Sequence, residues 1–344
     1  VIDVIDLQKL LELFKPSPIG ELKSSEKVKR HPKNPILTRE HVPYPSALVF
    51  NPGVCKHGGK YIMVFRNDYG SFEEQRIEGT NLGLAFSDDG IEWKVEPKPL
   101  PMFLNEPDVL RIYDPRLNVV EDELIMSFAV DTLHGIRAGI AIVHDFENFE
   151  VVHLSIPDNR NVVLFPRKIN GRYVRLERPF PVYGRLGMER FDMWISFSTD
   201  LRFWGESRLL LKVEDVPFAN CKVGPGAPPI ETEAGWLVIF HAVDVDPNRG
   251  KNGWEEKWNK RYSAGVMLLD LNDPTKVLGV HEQPILAPEA EYEVSGGFRN
   301  NVIFPTGAVL EEDELKIYYG AADTTICVAT AKVKDLIELC LTNF

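Results

Sequence analysis

The chain has little from which to build a disulfide scaffold or a metal site. Its four cysteines, Cys55, Cys221, Cys327 and Cys340, form no CxxC pair and no metal-ligand spacing. They read as mostly buried thiols in a reducing compartment. Positive charge is also scarce: 39 Lys and Arg face 51 Asp and Glu, a net charge of −12. Nucleic acid and anionic membrane surfaces are therefore poor general partners. No run approaches the roughly 18 apolar residues of a membrane-spanning helix. The opening VIDVIDLQKLLELF has neither a basic n-region nor a small-residue cleavage site, so a cytoplasmic protein is the expectation. GxSxG and HExxH are missing, and GPGAPP (224–229) lacks the strand–turn–helix setting and the Lys-Ser/Thr end of a phosphate loop. No clustered histidines suit a transition metal.

What is present is a repeat. Hydrophobic residues make up 44% and charged residues 26% of the chain, enough for a packed core. Five segments share a Gly or Asp turn, an aromatic or Leu, and then an alternating strand: GGKYIMVFRND (58–68), EDELIMSFAVD (121–131), NGRYVRLERP (170–179), AGWLVIFHAVD (234–244) and EDELKIYYGAAD (312–323). Each follows one apolar or turn-rich stretch and precedes another strand. The unit is strand, turn, strand, loop, strand, turn, and an outer strand. Antiparallel strands at this period predict an all-β, five-bladed β-propeller over residues 31–344. Residues 1–30 lie outside the repeat. Leu7, Leu10, Leu11 and Phe14 fall at helical spacing there, which predicts a short N-terminal helical extension suited to packing on a partner subunit or on the propeller flank; contact between subunits, hence a homo-oligomer, is the expectation.

In a propeller the innermost strands line a central channel, and the polar residues at their starts converge in a funnel. Here those starts are Asn51-Pro52-Gly53, Asp114-Pro115-Arg116, Arg160-Asn161, Lys222 to Gly226, and Arg299-Asn300-Asn301. A single Asp-Pro-Arg reads equally as a capped turn with a neighbouring ion pair. Five polar starts read as a site. Arg66, Asp131, Arg178, His241, Asp244 and Asp323 stand at the ends of the second strands. Arg160, Arg178, Lys222 and His241 near one funnel in an acidic chain suggest an anionic ligand such as phosphate or carboxylate. The loop 246–262 carries Trp254 and Trp258, which either stack on a sugar ring or pin the loop.

FNPG (50–53), YDPR (113–116), NRNVVLFPRKINGRY (159–173), KVGPGAPPIETEAGWLVIFHA (222–242), YSAGVMLLDLNDP (262–274) and YYGAADT (318–324) together resemble glycoside hydrolase family 130, the β-mannoside phosphorylases, over roughly residues 30–335. The resemblance implies the same five-bladed fold and inverting cleavage of β-mannosides by inorganic phosphate, giving α-mannose 1-phosphate. It implies that Asp114 is the catalytic acid, acting through the 3-hydroxyl of the bound mannose. It further implies that Arg160, Arg178, Lys222 and His241 bind phosphate, and that Asn51, Arg66, Arg116 and Asp323 bind the sugar. Phosphate is then a co-substrate, and no metal or other cofactor is needed. β-1,4-Mannooligosaccharides are the expected substrates, with β-mannosyl-glucose and β-1,2-mannosides as alternatives. A hydrolase on the same scaffold would need a second carboxylate to activate water, with Asp68, Asp131 or Asp244 as holders. A non-catalytic glycan-binding propeller would need no acid facing a cation cluster.

Overall fold

The computed structural model describes residues 17–181, 190–250, 253–255 and 258–342. The helix expected around Leu7, Leu10, Leu11 and Phe14 lies outside the described residues. Strand β1 (Val28–Arg30) belongs to the last sheet. Blade one runs from the channel outward as β2 (Leu48–His57), β3 (Lys60–Ser71), β4 (Arg76–Ser87) and β5 (Lys94–Val95). Blade two is β6 (Val109–Val120), β7 (Glu123–Thr132), β8 (Gly135–Val143) and β9 (Phe149–Leu154). Blade three is β10 (Asn159–Leu164), β11 (Tyr173–Pro179), β12 (Met193–Ser198) and β13 (Trp204–Leu211). In blade four, β14 (Lys222–Pro225) and β15 (Ile230–Thr232) both pair with β16 (Gly235–Val245), which continues to β17 (Lys260–Leu269) and β18 (Val277–Val280). Blade five is β19 (Ile303–Glu311), β20 (Glu314–Ala321) and β21 (Thr325–Lys332), completed by β1. All these pairings are antiparallel, and the architecture is a five-bladed propeller, as the repeat predicts.

The ring closes by pairing the two ends of the chain. Val28, Lys29 and Arg30 face Ala331, Thr330 and Ala329, so no blade is left with three strands. The boundary expected at residue 30 is therefore too late. A three-residue strand, Val-Lys-Arg, is too short to show alternation and is invisible as a repeat. Arg30 secures the closure. Its Nε and Nη2 donate to the two carboxylate oxygens of fully buried Glu293 at 2.8 and 2.9 Å, on the one-turn helix α1 (Glu291–Val294). The segment after β21 turns into helix α2 (Val333–Leu341), outside the strand repeat. Among the described residues no helix is long and apolar enough to cross a membrane.

The position of the core determines the position of the site. Buried apolar side chains form five principal clusters, one at each seam between neighbouring blades: one and two, two and three, three and four, four and five, five and one. Each blade thus buries both faces, and strands such as β16 are buried almost end to end rather than alternating. The channel axis is left to the inner strands, which crowd closely. A Cβ on Gly53 of β2 would lie 2.8 Å from the Arg116 Cα of β6, so only glycine lets the two strands approach this far.

The seam between blades five and one also carries an ionic clasp on β2, β3, β19 and β20. Glu311 accepts from Lys56 and Tyr61, and from Lys316 Nζ at 2.6 Å. Hydrogen bonds from Lys316, Lys56 and Tyr61 hold the Glu311 carboxyl down at about 2. A carboxyl depressed in the folded state adds stability above its unfolded pKa and loses it as pH falls toward the folded one. Glu311→Gln should therefore flatten the decline of stability between about pH 4.5 and 2, read as urea midpoints at successive pH values. An unchanged acid limb would show that the clasp contributes nothing.

Candidate active site

Three inner strands break register with their neighbours at the same place. The pairing slips between Phe50 and Gly53 in β2, Tyr113 and Arg116 in β6, and Arg160 and Val163 in β10. Within each slip sits one left-handed Asx residue: Asn51 (φ 51°), Asp114 (φ 50°) and Asn161 (φ 57°). Asn and Asp tolerate this conformation better than other residues with a Cβ, and a bulge redirects a side chain. All three line one cavity of about 360 Å³ at the channel mouth. Asp114 was expected at the start of its strand. It lies inside β6 instead, and the bulge, not the strand end, presents it.

Blades one, two and five supply the acidic side of the cavity. Asp114 is buried and its Oδ1 accepts from Asn51 Nδ2 at 2.9 Å, with Arg66 Nη1 at 3.6 Å. Burial pushes its carboxyl up, but Arg66, Arg116, the Asn51 hydrogen bond and Arg160 outweigh this and hold it below the usual carboxylate range. Arg66 cannot swing away. It forks onto Asp68 at 2.9 and 2.7 Å, and its guanidinium lies 4.6 Å from the Phe50 ring centroid and 5.0 Å from that of Tyr113. Asp323 (φ 48°) lines the same cavity. Burial raises its carboxyl above the usual range, the nearby Asp114 charge adds to this, and Arg299 and Arg66 only partly offset it. The two carboxyls are thus pushed in opposite directions, the pattern expected of groups with different proton roles.

Blades three and four supply the basic side. Arg160 and Arg178 face each other across β10 and β11, and both line the cavity. Neither has a carboxylate within salt-bridge distance among the described residues. Arg178 is 1% exposed. Burial first, then Arg160 and Arg116, push its guanidinium down to about 9. The Nε atoms of Arg160 and Arg178 are buried without a hydrogen-bond partner. The Asn161 amide, turned so that its oxygen faces Arg178, accepts from both Nη atoms at 3.3 Å.

His241, Lys222 and Arg116 are not among the lining residues. His241 is fully buried behind Arg178. Its Nδ1 faces the Pro225 carbonyl at 3.2 Å and its Nε2 faces Arg178 Nη1 at 2.8 Å. With burial and Arg178 holding the ring well below its ordinary pKa, it is neutral: Nδ1–H donates and Nε2 accepts. His241 therefore buttresses Arg178. Gly224, across from it, leaves the room, since a Cβ there would be 2.5 Å from the imidazole. Lys222 lies 4.5 Å from the Phe191 ring centroid. Arg116 donates from Nε to the Gly226 carbonyl at 3.1 Å and from Nη1 to the Asp114 carbonyl at 2.8 Å, so it fixes the backbone of the bulge.

The two lining tyrosines, Tyr113 and Tyr262, were not expected, whereas Trp258 was. Tyr113 donates to Asp131 at 2.7 Å and accepts from Arg160 at 3.4 Å. Tyr262, the third residue of β17, lines the cavity with the arginines and stacks 5.9 Å from Trp258. Trp258 both pins its loop, through Nε1 to the Asn300 carbonyl at 3.1 Å, and lines the cavity; Trp254 packs beside Phe72 and Phe298 against the cluster of Ala47, Leu48 and Phe50 and is not in the lining. The candidate water-activating carboxylates are committed. Asp68 holds Arg66, Asp131 holds Arg111 and Tyr113, and Asp244 holds Arg249 and Arg261 away from the cavity lining.

Comparison with known proteins matches this geometry to a family. The family model described as β-1,4-mannooligosaccharide phosphorylase matches residues 24–342. The chain is 33% identical to a 1,2-β-oligomannan phosphorylase of Thermoanaerobacter sp., over 90% of this chain and 99% of that one. It is 33% identical to a β-1,4-mannooligosaccharide phosphorylase of Ruminococcus albus, over 90% and 89%. Among solved structures, the β-1,2-mannobiose phosphorylase of Listeria innocua in complex with β-1,2-mannobiose superposes with a TM-score of 0.78 at 29% identity, covering 92% of this chain and 99% of that one.

Proposed function

The chain belongs to glycoside hydrolase family 130, the β-mannoside phosphorylases, and on that premise we propose that it cleaves β-mannosides with inorganic phosphate, inverting the anomeric centre to give α-mannose 1-phosphate. The observation that carries this reading is the pair of arginines, fully buried Arg178 and half-buried Arg160, that line the cavity together with Asp114 and have no carboxylate within salt-bridge distance among the described residues. A bound phosphate supplies the missing counter-charge. Fixed cations hold it for attack on the face opposite the leaving oxygen.

The proton balance fits this layout. The attacking dianion carries one hydrogen. Its oxygen bonds to the anomeric carbon, the glycosidic bond breaks, and the leaving oxygen takes up a proton. Asp114 gives that proton, through the 3-hydroxyl of the mannose, and the hydrogen of phosphate restores the balance. Arg66 and Arg116 keep Asp114 ionised in the empty site. A dianion at Arg160 and Arg178 offsets those cations and favours the protonated carboxyl that an acid needs. Asn51, Arg66 and Asp323 bind the sugar between acid and phosphate.

β-1,4-Mannooligosaccharides are the first substrates to try, supported by the family description and the Ruminococcus relative. The Thermoanaerobacter relative and the Listeria structure support β-1,2-mannosides as the second. The test is to incubate the protein with β-1,4- and with β-1,2-mannobiose, each with and without phosphate, and to assay mannose 1-phosphate and free mannose. Mannose 1-phosphate that forms only with phosphate is the expected result, on whichever linkage. Two free mannoses at the same rate without phosphate would overturn phosphorolysis.

A further inference from the structure

Arg299 takes no part in the scheme above, yet it links the floor of the cavity to a loop over its rim. Its Nη1 donates to Asp323 Oδ2 at 3.2 Å. Its Nε donates to Glu255 Oε1 at 2.9 Å, and Nη2 donates to the same oxygen. Its guanidinium lies 4.8 Å from the Trp258 ring centroid and 4.7 Å from that of Phe298. Two carboxylates and two aromatic faces leave it one orientation. Its backbone is fixed as well, through Arg299 N–H to the Ala322 carbonyl at 3.1 Å.

Glu255 is delivered to this position by backbone. Gly253 bridges to Arg299 as an antiparallel pair, and Trp254 N–H donates to the Phe298 carbonyl at 2.9 Å. Gly253 takes φ 99°, and a Cβ on it would fall 2.4 Å from the Phe298 oxygen, so the two backbones meet only because it is glycine. At the other end, Ala322 and Asp323 are consecutive left-handed residues (φ 49° and 48°). This strained turn needs surrounding contacts to persist, and the Arg299 bond is one of them.

We propose that Glu255 is a positioning residue that holds Arg299 against Asp323 and so fixes the mannose-binding carboxylate, without touching the phosphate. The proposal rests on the reading of Asp323 as a sugar-binding residue. It assigns Glu255, on the rim loop, an effect on sugar affinity but not on chemistry. Arg160 and Arg178 make no contact with Glu255, so phosphate binding should not sense its removal.

The test compares wild type with Glu255→Ala and Glu255→Gln, after checking that thermal unfolding is unchanged. Glu255→Ala is expected to raise KM for the mannoside about tenfold while kcat and KM for phosphate stay within about twofold, the signature of a lost uniform-binding contact. Glu255→Gln keeps an acceptor oxygen for Arg299 and should recover most of the affinity. An unchanged mannoside KM in Glu255→Ala, or mannoside and phosphate KM rising together, would overturn the proposal. Calorimetry with mannose alone separates this from the catalytic reading. If wild type binds mannose but turns over no mannoside, phosphorolysis fails, and weaker mannose binding by Glu255→Ala still supports the positioning role. Equal binding sinks it.

Discussion

Asp114→Asn should reduce phosphorolysis by about 10²- to 10⁴-fold, the range general acids contribute, while leaving the fold intact. The second half of this expectation comes from the backbone. At φ 50° an Asn is as acceptable as an Asp, whereas an Ala there would cost about 1–2 kcal/mol. The amide oxygen can still accept from Asn51. What disappears is the proton. The other carboxyls of the cavity cannot replace it: Asp68 and Asp131 are held in ion pairs with Arg66 and Arg111, and Asp323 with Arg299. The defect should shrink with an activated aryl β-mannoside, whose leaving oxygen needs little protonation. Rates are to be measured on both substrates, with phosphate saturating. A variant equally slow on both would make Asp114 a binding group and not the acid. A variant near wild type on mannobiose would remove it from the mechanism.

The sequence shows the repeat because every blade reuses a second strand with a turn before it and an aromatic or Leu near its start. It also shows that polar groups gather at one end of the channel. The bulges leave a signal too: Asn51, Asp114 and Asn161 are all Asx residues on inner strands, the types that accept a left-handed backbone. Other features leave no local trace. β1 has three residues, and its partner lies at the far end of the chain. The β16 run GWLVIFHAVDV is buried along nearly its whole length, so sequence alternation cannot reveal that His241 backs Arg178 and does not line the cavity. Arg299 and Trp258 stand out in the sequence as a polar strand start and a loop aromatic, but Tyr262 does not, and all three reach the cavity from loops before β17 and β19 and from the start of β17. Their convergence depends on how β17 lies beside β19, which residue order does not encode. Arg116, next to a catalytic acid in sequence, serves a carbonyl of another blade.

Arg178→Met should cut phosphate use by about 10²- to 10³-fold and make the phosphate-free protein more stable. The two effects have one cause. A guanidinium that is 1% exposed, with a neutral imidazole, an amide and the Phe191 ring for company, has no carboxylate to balance its charge among the described residues. Burial of an ion costs several kcal/mol after relaxation, and replacing buried ions with apolar groups of similar size often stabilises by about 1–4 kcal/mol. Met is long and flexible enough to fill the space beside Phe191, while His241 Nε2 gives up one donor, a partial offset of about 1 kcal/mol. Stability without phosphate should therefore rise. Wild type should gain stability from added phosphate, about 2.7 kcal/mol at a hundred times Kd, and the variant should gain much less. kcat/KM for phosphate should fall by about 10²- to 10³-fold, as for the loss of one preorganised donor to developing charge. Melting temperatures with and without phosphate, together with phosphorolysis rates, measure all three. If the variant were less stable and still responded to phosphate, Arg178 would be a structural cation with a partner outside the described residues. If it were more stable and inactive, the folded chain would be tolerating the buried charge for the sake of the anion it binds.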